Sequence, residues 1–260
     1  METPVPPIAT VFDAHFHIID PRFPLQENHG YLPEPFTVTH YLDRMAAYER
    51  RGGAVVSGSF QAFDQSYLLD ALDRLGPDYV GVTQLPADVS DNELLRLDEA
   101  GVRALRFNLR RGGSATLDQL EPFARRVFDF VGWHTELYVD AKELHAFADT
   151  IRALPIVSVD HLGLSRAGLP LLTSLVEEGV YVKATGFGRV DFDVVIALRQ
   201  LSEANPHRVL FGTDLPSTRA PVPYRDTDVE TVIDAVGVDQ AQRIFSENGI
   251  ALYRRKPRGI

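Results

Sequence analysis

Residues 11–35 read VFDAHFHIIDPRFPLQENHGYLPEP, and this stretch decides between two α/β folds. Its first eight residues are mostly aromatic, β-branched or otherwise apolar, which predicts a buried strand. A doubly wound sheet that binds a nucleotide carries a glycine-rich turn directly after its first strand. Here the chain continues instead through prolines and polar residues. The stretch therefore favours a closed barrel over an open, doubly wound sheet.

The same β-rich pattern recurs along the chain. The predicted strands are residues 11–18, 53–60, 79–85, 102–109, 135–141, 156–162, 180–186 and 208–214. Most of the intervening segments have apolar residues three and four apart, which is typical of amphipathic helices. One predicted helix begins after Asp140, where Glu143 completes a capping-box pattern, and another ends before Pro206. This alternation predicts a distorted (β/α)8 TIM barrel, which we expect to form a single domain over residues 1–260.

Composition restricts the partners and the compartment. The chain is 45% hydrophobic and 24% charged, has no cysteine and carries a formal net charge of -10. An acidic chain argues against nucleic acid as a partner, and we interpret the basic run RRKPRG (254–259) as a solvated tail. Without cysteine there is neither a disulfide nor a thiolate metal site. No apolar run approaches the roughly 20 residues that span a bilayer, and METPVPPIAT does not resemble a signal peptide. We expect a cytoplasmic protein without a membrane partner, whose oligomeric state the sequence leaves open.

Two histidines on the first strand are the first candidates for function. Side chains two residues apart share one face of a strand, so alternation predicts one face toward the helices and one toward the interior. The outer set would be Phe12, Ala14, Phe16 and Ile18, and the inner set Asp13, His15, His17 and Ile19. Imidazoles in the interior need hydrogen bonds, a ligand or a metal to offset their lost hydration. The alternative is a pair of core histidines with satisfied hydrogen bonds.

Further polar residues lie at the carboxyl ends of later strands, where the active sites of barrel enzymes gather. They are Arg106 and Asn108 on strand four, Tyr138 on strand five, Asp160 and His161 on strand six, Arg189 after strand seven, and Asp214 on strand eight. Each has a structural alternative: Arg106 could pair with a carboxylate, and Asp160 or Asp214 could cap a helix. Ser59 on strand two could face the pocket or simply fit tight packing.

Together these residues resemble the amidohydrolase superfamily, in its amidohydrolase-2 type of TIM-barrel hydrolases. That superfamily uses a His-x-His on strand one, a histidine on strand six and an aspartate on strand eight, which match His15, His17, His161 and Asp214. The phrases VRALRFNLRRGG, VDHLG, VKATGFGR and VLFGTDLP are most similar to the branch of 2-pyrone-4,6-dicarboxylate lactonases. The resemblance implies that these four residues are catalytic.

The same resemblance implies a set of substrate-binding residues. Arg106, Arg111 and Arg189 look like anion-binding residues, and Tyr31 and Tyr138 look like pocket contacts. Arg110 could serve in place of its neighbour Arg111. The implied substrate is a carboxylated pyrone or a related lactone.

Two departures from the family pattern bear on cofactor and substrate. Metal-dependent members usually have a histidine on strand five and a carboxylated lysine or a glutamate on strand four; here the chain has Tyr138 and Arg106. A guanidinium is not an ordinary metal ligand, and the pyrone-lactonase branch works without a metal, so we expect that no cofactor is required. If zinc or manganese does bind, its ligands would be His15, His17, His161 and Asp214. FGTDLPS also replaces the branch's WGTDWPH after strand eight, which changes the pocket wall.

These residue types suggest a mechanism. Asp214 would activate a water, and the three histidines would donate hydrogen bonds to the lactone carbonyl as it becomes an anion. Arg106 and Arg189 would hold a substrate carboxylate through paired N–H contacts. The alternatives are a metal-dependent amidohydrolase or aromatic-acid decarboxylase of the same superfamily, a sugar-acid lactonase, and a non-catalytic barrel that binds a small acid.

Overall fold

The computed structural model describes residues 8–254, which form a barrel of eight parallel strands paired in sequence order. The strands are β1 (Thr10–Phe16), β2 (Glu49–Val56), β3 (Tyr79–Thr83), β4 (Val102–Phe107), β5 (His134–Leu137), β6 (Val157–Val159), β7 (Tyr181–Ala184) and β8 (Val209–Phe211). The predicted (β/α)8 barrel is confirmed. The first seven residues and residues 255–260, which hold all but the first residue of the basic run, lie outside the described range.

Helices alternate with these strands. They are α1 (Val38–Arg44), α2 (Ser66–Leu75), α3 (Asp91–Glu99), α4 (Leu120–Val131), α5 (Ala148–Ala153), α6 (Leu169–Glu177), α7 (Val194–Ala204), α8 (Thr227–Val236), α9 (Val238–Gln242) and α10 (Asn248–Tyr253). Their ends follow local chemistry: the Asp193 carboxylate accepts from the Ile196 N–H at the start of α7, and α7 ends before Pro206 as predicted. No helix within residues 8–254 is both long and apolar enough to cross a membrane.

The segment after Asp140 differs from its prediction. The sequence predicts one helix there, but a 3-10 segment, Ala141–Ala146, is followed by the separate helix α5. The backbone at Phe147 (φ -144°, ψ 25°) leaves the helical region and divides the two. Asp140 does cap the start, although its side chain accepts from the Lys142 N–H rather than from that of residue 143.

Strand β1 also departs from the predicted alternation of its side chains. We expected Phe12 and Ala14 beneath the helices, and this is wrong: both belong to an inner apolar cluster formed by β1, β2, β3, β4, β7 and β8 and closed by α10. Phe16 does face the helices and stacks on Tyr41 of α1. The β1–β2 register shifts between residues 13 and 16, so β1 holds a bulge. The extra residue breaks the link between odd or even position and face.

Asp13 is a second correction on this strand. Alternation predicts that it faces the interior beside the histidines, but its carboxylate accepts from the Tyr41 hydroxyl on α1 (3.3 Å), and from the Thr213 N–H (2.9 Å) and hydroxyl (2.7 Å). Asp13 thus ties β1 to the segment after β8 and to a helix. Burial raises the pKa of this carboxyl to about 6, although its hydrogen bonds oppose the shift.

Backbone contacts bring the last strand against the first. The Asp214 N–H donates to the His15 carbonyl (2.7 Å), and the His17 N–H donates to the Leu215 carbonyl (2.8 Å). Glycine is needed at position 212, because a Cβ there would lie 2.7 Å from the Cβ of His15. These contacts place both candidate elements of the site, the histidine strand and the aspartate turn, side by side.

Below the site, buried charges fill the barrel. Lys183 of β7 bonds to Glu136 of β5 and lies 3.5 Å from an Asp160 oxygen, and all three side chains are fully buried. Tyr253 of α10 donates its hydroxyl to Glu136 from beneath. Burial raises the pKa values of Glu136 and Asp160, but the Lys183 ammonium together with His134 beside Glu136, and together with Arg106 and His15 beside Asp160, outweighs it, and both pKa values fall below the usual range. This network links four elements of the barrel across its axis.

Candidate active site

A cleft of about 390 Å³, part of it open to solvent, lies at the carboxyl ends of the strands. It is the end of the barrel where enzymes of this fold hold their catalytic groups. The predicted catalytic and substrate-binding residues that line it are His17, Tyr31, Ser59, Arg106, Arg111, Tyr138, His161, Arg189 and Asp214, and Asn108 of the further polar residues lines it as well. His15 does not line the cleft but lies beside Asp214. The structure thus brings all ten predicted site residues into one region.

Asp214 occupies the floor of this cleft and is almost completely buried. One carboxylate oxygen, Oδ2, accepts from Nε of Arg189 (2.7 Å) and also lies 2.7 Å from Nη2, which donates to the Thr218 carbonyl. The other, Oδ1, has no hydrogen-bond partner within the described chain and lies 3.9 Å from His15 Nε2 and 3.8 Å from His17 Nε2. The backbone of Asp214 is left-handed (φ 60°), a strained conformation that functional sites often retain. A buried, unpartnered carboxylate oxygen requires a ligand, a water or a cation.

His17 is held in one tautomer by its backbone contact. Its Nδ1 lies 2.7 Å from the Val56 carbonyl, which can only accept, so Nδ1 carries the proton. Burial, followed by the nearby His15 and Arg106, lowers the pKa of His17 well below the usual range, so the ring is neutral at pH 7. Its Nε2 therefore presents a lone pair toward Asp214. This nitrogen can accept a proton or bind a cation, but it cannot donate the hydrogen bond that the sequence-based mechanism gives it.

His15 connects the floor of the cleft to the buried charges beneath. Its Nδ1 lies 3.4 Å from both an Asp160 oxygen and the Lys183 ammonium, and its Nε2 has no hydrogen-bond partner in the described residues. Burial lowers the pKa of His15, and the negative charge of Asp160 only partly opposes this. The ring is thereby anchored on one side and open toward Asp214 on the other.

His161 also lines the cleft, with a left-handed backbone (φ 52°). Its ring packs 4.8 Å from His15 and 5.0 Å from Tyr138, measured between centroids. Burial and the charge of Arg189 lower the pKa of His161 well below the usual range. Its Nδ1 has no partner among residues 8–254. A Cβ at Gly186 would lie 2.7 Å from that nitrogen, so a glycine is needed there to leave room for the ring.

The arginines have partners that the sequence did not specify. Arg106 donates from Nε (3.2 Å) and Nη2 (2.8 Å) to Asp160, so the structural alternative of a carboxylate partner is realised although Arg106 also lines the cleft. Arg111 lines the cleft, whereas Arg110 is exposed and lies 3.7 Å from an Asp140 oxygen. Asn108 accepts from the Arg111 N–H and fixes the turn that separates the two.

Sequence reasoning missed two kinds of residue at the site. Thr218 and Arg219 line the cleft from the loop after β8, and no periodicity marks residues of such a loop. Asp160 was noted only as a polar residue of strand six, and its pairing with Lys183 of β7 was not predicted, because it depends on the register of β6 and β7 across the barrel. The signal that could have been used is Lys183 itself, because a lysine inside an otherwise apolar strand requires a buried partner.

The donor atoms form two candidate metal groups. His15, His17 and Asp214 each offer one ligand atom, as do His15, Asp160 and His161, and within each group these atoms lie within 4.8 Å of one another. The unpartnered Nε2 of His15 and Oδ1 of Asp214, and the lone pair of His17 Nε2, suit a divalent cation of the zinc or manganese type. Tyr138 follows the carboxyl end of β5, where the resemblance leads us to expect a ligand; the histidine that β5 does contain, His134, is its first residue, and its Nε2 lies 3.1 Å from Glu136.

Comparison with known proteins agrees with this geometry. The chain is 26% identical over 277 residues to a 4-sulfomuconolactone hydrolase of Hydrogenophaga intermedia, covering 95% of this chain and 90% of the relative. It is 29% identical over 236 residues to a 2-pyrone-4,6-dicarboxylate hydrolase of Comamonas testosteroni, covering 80% and 77%. A solved structure from Pseudomonas putida, of a candidate 2-pyrone-4,6-dicarboxylic acid hydrolase, is 25% identical with a TM-score of 0.80 and covers 94% of this chain and 97% of that one. The profile of the amidohydrolase family matches residues 12–255, and the chain belongs to that family.

Proposed function

We propose that this protein hydrolyses a lactone that carries an anionic group. The observation that carries the proposal is Asp214 Oδ1, a buried carboxylate oxygen without a partner in the described residues, which faces two imidazole nitrogens at the floor of a cleft lined by arginines. A non-catalytic binder of acids has no use for a carboxylate in that position. The names of the relatives, which act on a sulfonated and a dicarboxylated lactone, support the same substrate class.

Asp214 is the group that activates water in this proposal. A water bound to Oδ1 would also be within reach of the His17 Nε2 lone pair, so it would be oriented by two acceptors. Arg189 holds the other carboxylate oxygen and fixes the direction of the attack. Proton transfer by positioned groups of this kind contributes about 10²- to 10⁴-fold to a rate.

The carbonyl oxygen needs a donor as it becomes an anion. His161, whose Nδ1 has no partner among the described residues, and Tyr138, whose ring packs against it, also line the cleft. We assign oxyanion stabilisation to these two residues, because His17 is held in the tautomer that accepts. Arg106 and Arg189 are each paired with a carboxylate, so in this proposal they hold the substrate through the N–H donors that their ion pairs leave free.

This proposal has two versions, one without a metal cofactor and one with it. The version without a metal rests on Tyr138, directly after β5, and on the ion pair between Arg106 of β4 and Asp160, directly after β6. The version with a metal rests on the accepting tautomer of His17, since a neutral imidazole with an outward lone pair is a metal ligand. In that version His15, His17 and Asp214 would hold the ion. Zinc or manganese there would supply Lewis-acid activation of water or of the carbonyl.

A lactone panel tests the function. Carboxylated, sulfonated, sugar-acid and neutral lactones would be incubated with the enzyme, and acid release followed with a pH indicator. We expect the fastest hydrolysis with anionic lactones. Preference for sugar-acid lactones would favour the sugar-acid alternative, and carbon dioxide release from an aromatic acid would favour the decarboxylase alternative. Absence of any turnover across the panel would contradict the proposal.

The same panel, run with and without chelator, separates the two versions. Elemental analysis of protein purified without chelator is the accompanying measurement. Unchanged activity after chelation and no bound metal would support the version without a cofactor. About one zinc or manganese per chain, with activity lost on its removal and restored on its return, would support the other.

A further inference from the structure

The arginines that line the cleft divide by their partners. The guanidiniums of Arg106 and Arg189 each contact a carboxylate at 2.8 Å or less. Arg111 and Arg219 have no carboxylate within 4.0 Å in the part of the chain that the structure describes. Positive charge is therefore largely balanced at the floor of the cleft and unbalanced at its mouth.

Arg219 is held in place by neutral groups only. Its guanidinium lies over the Tyr31 ring, 4.4 Å from the centroid, and donates to the Asn28 side-chain oxygen (3.0 Å) and to the Asn28 carbonyl. These contacts fix the side chain without neutralising it, and they use only part of the N–H groups of its planar fork. The remaining donors are available to a ligand in the cleft.

Asn28 also joins the loop of Arg219 to the loop of Arg111. Its side-chain nitrogen donates to the Arg111 carbonyl at 3.1 Å. Three loops, those after β1, β4 and β8, thus meet at one residue, and two of them contribute an arginine to the cleft. Because the three loops are tied together, the two guanidiniums belong to one rigid rim rather than to separate mobile loops.

The backbone around Arg219 is tightly turned. Ser217 and Arg219 both have left-handed conformations (φ 64° and 58°), the Ala220 N–H donates to the Ser217 carbonyl (3.0 Å), and the Tyr224 N–H donates to the Ser217 hydroxyl (3.0 Å). A side chain held by its own backbone and by stacking loses little entropy when it binds a ligand. Partial burial and repulsion from the charge of Arg111 both lower the pKa of Arg219.

We propose that Arg219 binds substrate: with Arg111 and Tyr31 it forms a mouth subsite that takes an anionic group remote from the ester carbonyl. This inference rests on the proposed lactone hydrolysis and deepens it. An anion between the two arginines would balance both charges and satisfy the free donors of Arg219. The favoured substrate is then a lactone whose carboxylate or sulfonate lies at the end of the molecule away from the reacting carbonyl, at the mouth of the cleft.

The test compares Arg219→Met with Arg225→Met, an exposed arginine of the same loop that does not line the cleft. For a lactone with a remote carboxylate, we expect Arg219→Met to raise KM about 10- to 100-fold, as expected for loss of a charge-assisted hydrogen bond. The KM for a neutral lactone should change less than about threefold. Arg219→Lys should raise KM less, because lysine keeps the positive charge but lacks the paired donors of the planar guanidinium. Arg225→Met should match the unaltered protein.

If Arg219 only braces the loops, Arg219→Met should raise KM equally for charged and neutral lactones. That result would overturn the subsite. Direct calorimetric titration with citrate gives a readout that needs no turnover. Weaker citrate binding in Arg219→Met than in Arg225→Met supports the subsite, even if no lactone is hydrolysed and the proposed function fails. Lactone hydrolysis with an unchanged KM in Arg219→Met would remove the subsite and leave the proposed function standing.

Discussion

At the scale of single residues, the site depends on how its side chains are held. His17 Nε2 accepts because Nδ1 carries the ring proton and donates to the Val56 carbonyl. Asp214 Oδ1 faces the imidazoles because Oδ2 accepts from Arg189. The residue types at these positions were predictable, because polar side chains are conspicuous at the ends of otherwise apolar barrel strands. Their hydrogen-bond roles were not, because a tautomer depends on a backbone carbonyl of another strand.

Arg189→Met tests the pairing of that arginine with Asp214. From the sequence we expect a KM increase for a carboxylated lactone far larger than for a neutral one. The two short contacts to Asp214 add a second effect: kcat should fall, by about tenfold or more, with both substrates, because the catalytic carboxylate loses its fixed direction. Steady-state kinetics on a matched pair of lactones measure both parameters. A change in KM alone would show that Arg189 does not position Asp214.

Gly186→Ala tests the packing behind His161. The new methyl would lie 2.7 Å from His161 Nδ1 and 2.8 Å from Arg189 Cδ, so we expect kcat/KM to fall about 10- to 100-fold. Gly132→Ala is the matched control: that glycine is also left-handed (φ 76°), but a Cβ there meets nothing within 4 Å. Both variants should lose about 1 kcal/mol of stability through backbone strain, and only the first should lose activity. Equal kinetics in the two would show that His161 tolerates displacement.

At the scale of elements, the strands and most helix ends were predictable, because burial and capping leave local patterns. The bulge in β1 was not. Its cause is tertiary: Asp13 turns toward Tyr41 and Thr213, and the chain after β8 approaches β1 closely at Gly212. Alternation assumes an unbroken ladder, so it assigned Phe12 and Ala14 to the wrong side while still placing the histidines in the interior.

The buried charges between β5, β6 and β7 give a prediction at this scale. Lys183→Met leaves the Glu136 carboxylate without its cation in the barrel interior and leaves Asp160 with Arg106 alone, and should lower the free energy of unfolding by about 3–5 kcal/mol. Lys142→Met is the control, because that lysine is 54% exposed, although it lies 3.2 Å from an oxygen of the buried Asp140. It should cost less than about 1 kcal/mol. Urea denaturation of both variants provides the comparison, and similar midpoints would show that the interior network is not stabilised by Lys183.

At the scale of the whole molecule, an acidic barrel encloses a basic cleft. The net charge of -10 describes the entire chain, whereas four arginines line one opening and two of them lack a carboxylate partner in the described residues. The local field rather than the total charge governs the approach of an anionic substrate. Barrel topology brings this about, because the loops after all eight strands open at the same end.

The most direct test of the account is the rate of lactone hydrolysis by Asp214→Asn under single-turnover conditions. Circular dichroism and thermal melting would verify that the variant folds. We predict a loss on the order of 10³-fold in the hydrolytic step, because asparagine keeps the shape of the side chain but cannot take a proton from water. Hydrolysis within tenfold of the unaltered enzyme, in a folded variant, would contradict the assignment of Asp214 as the group that activates water.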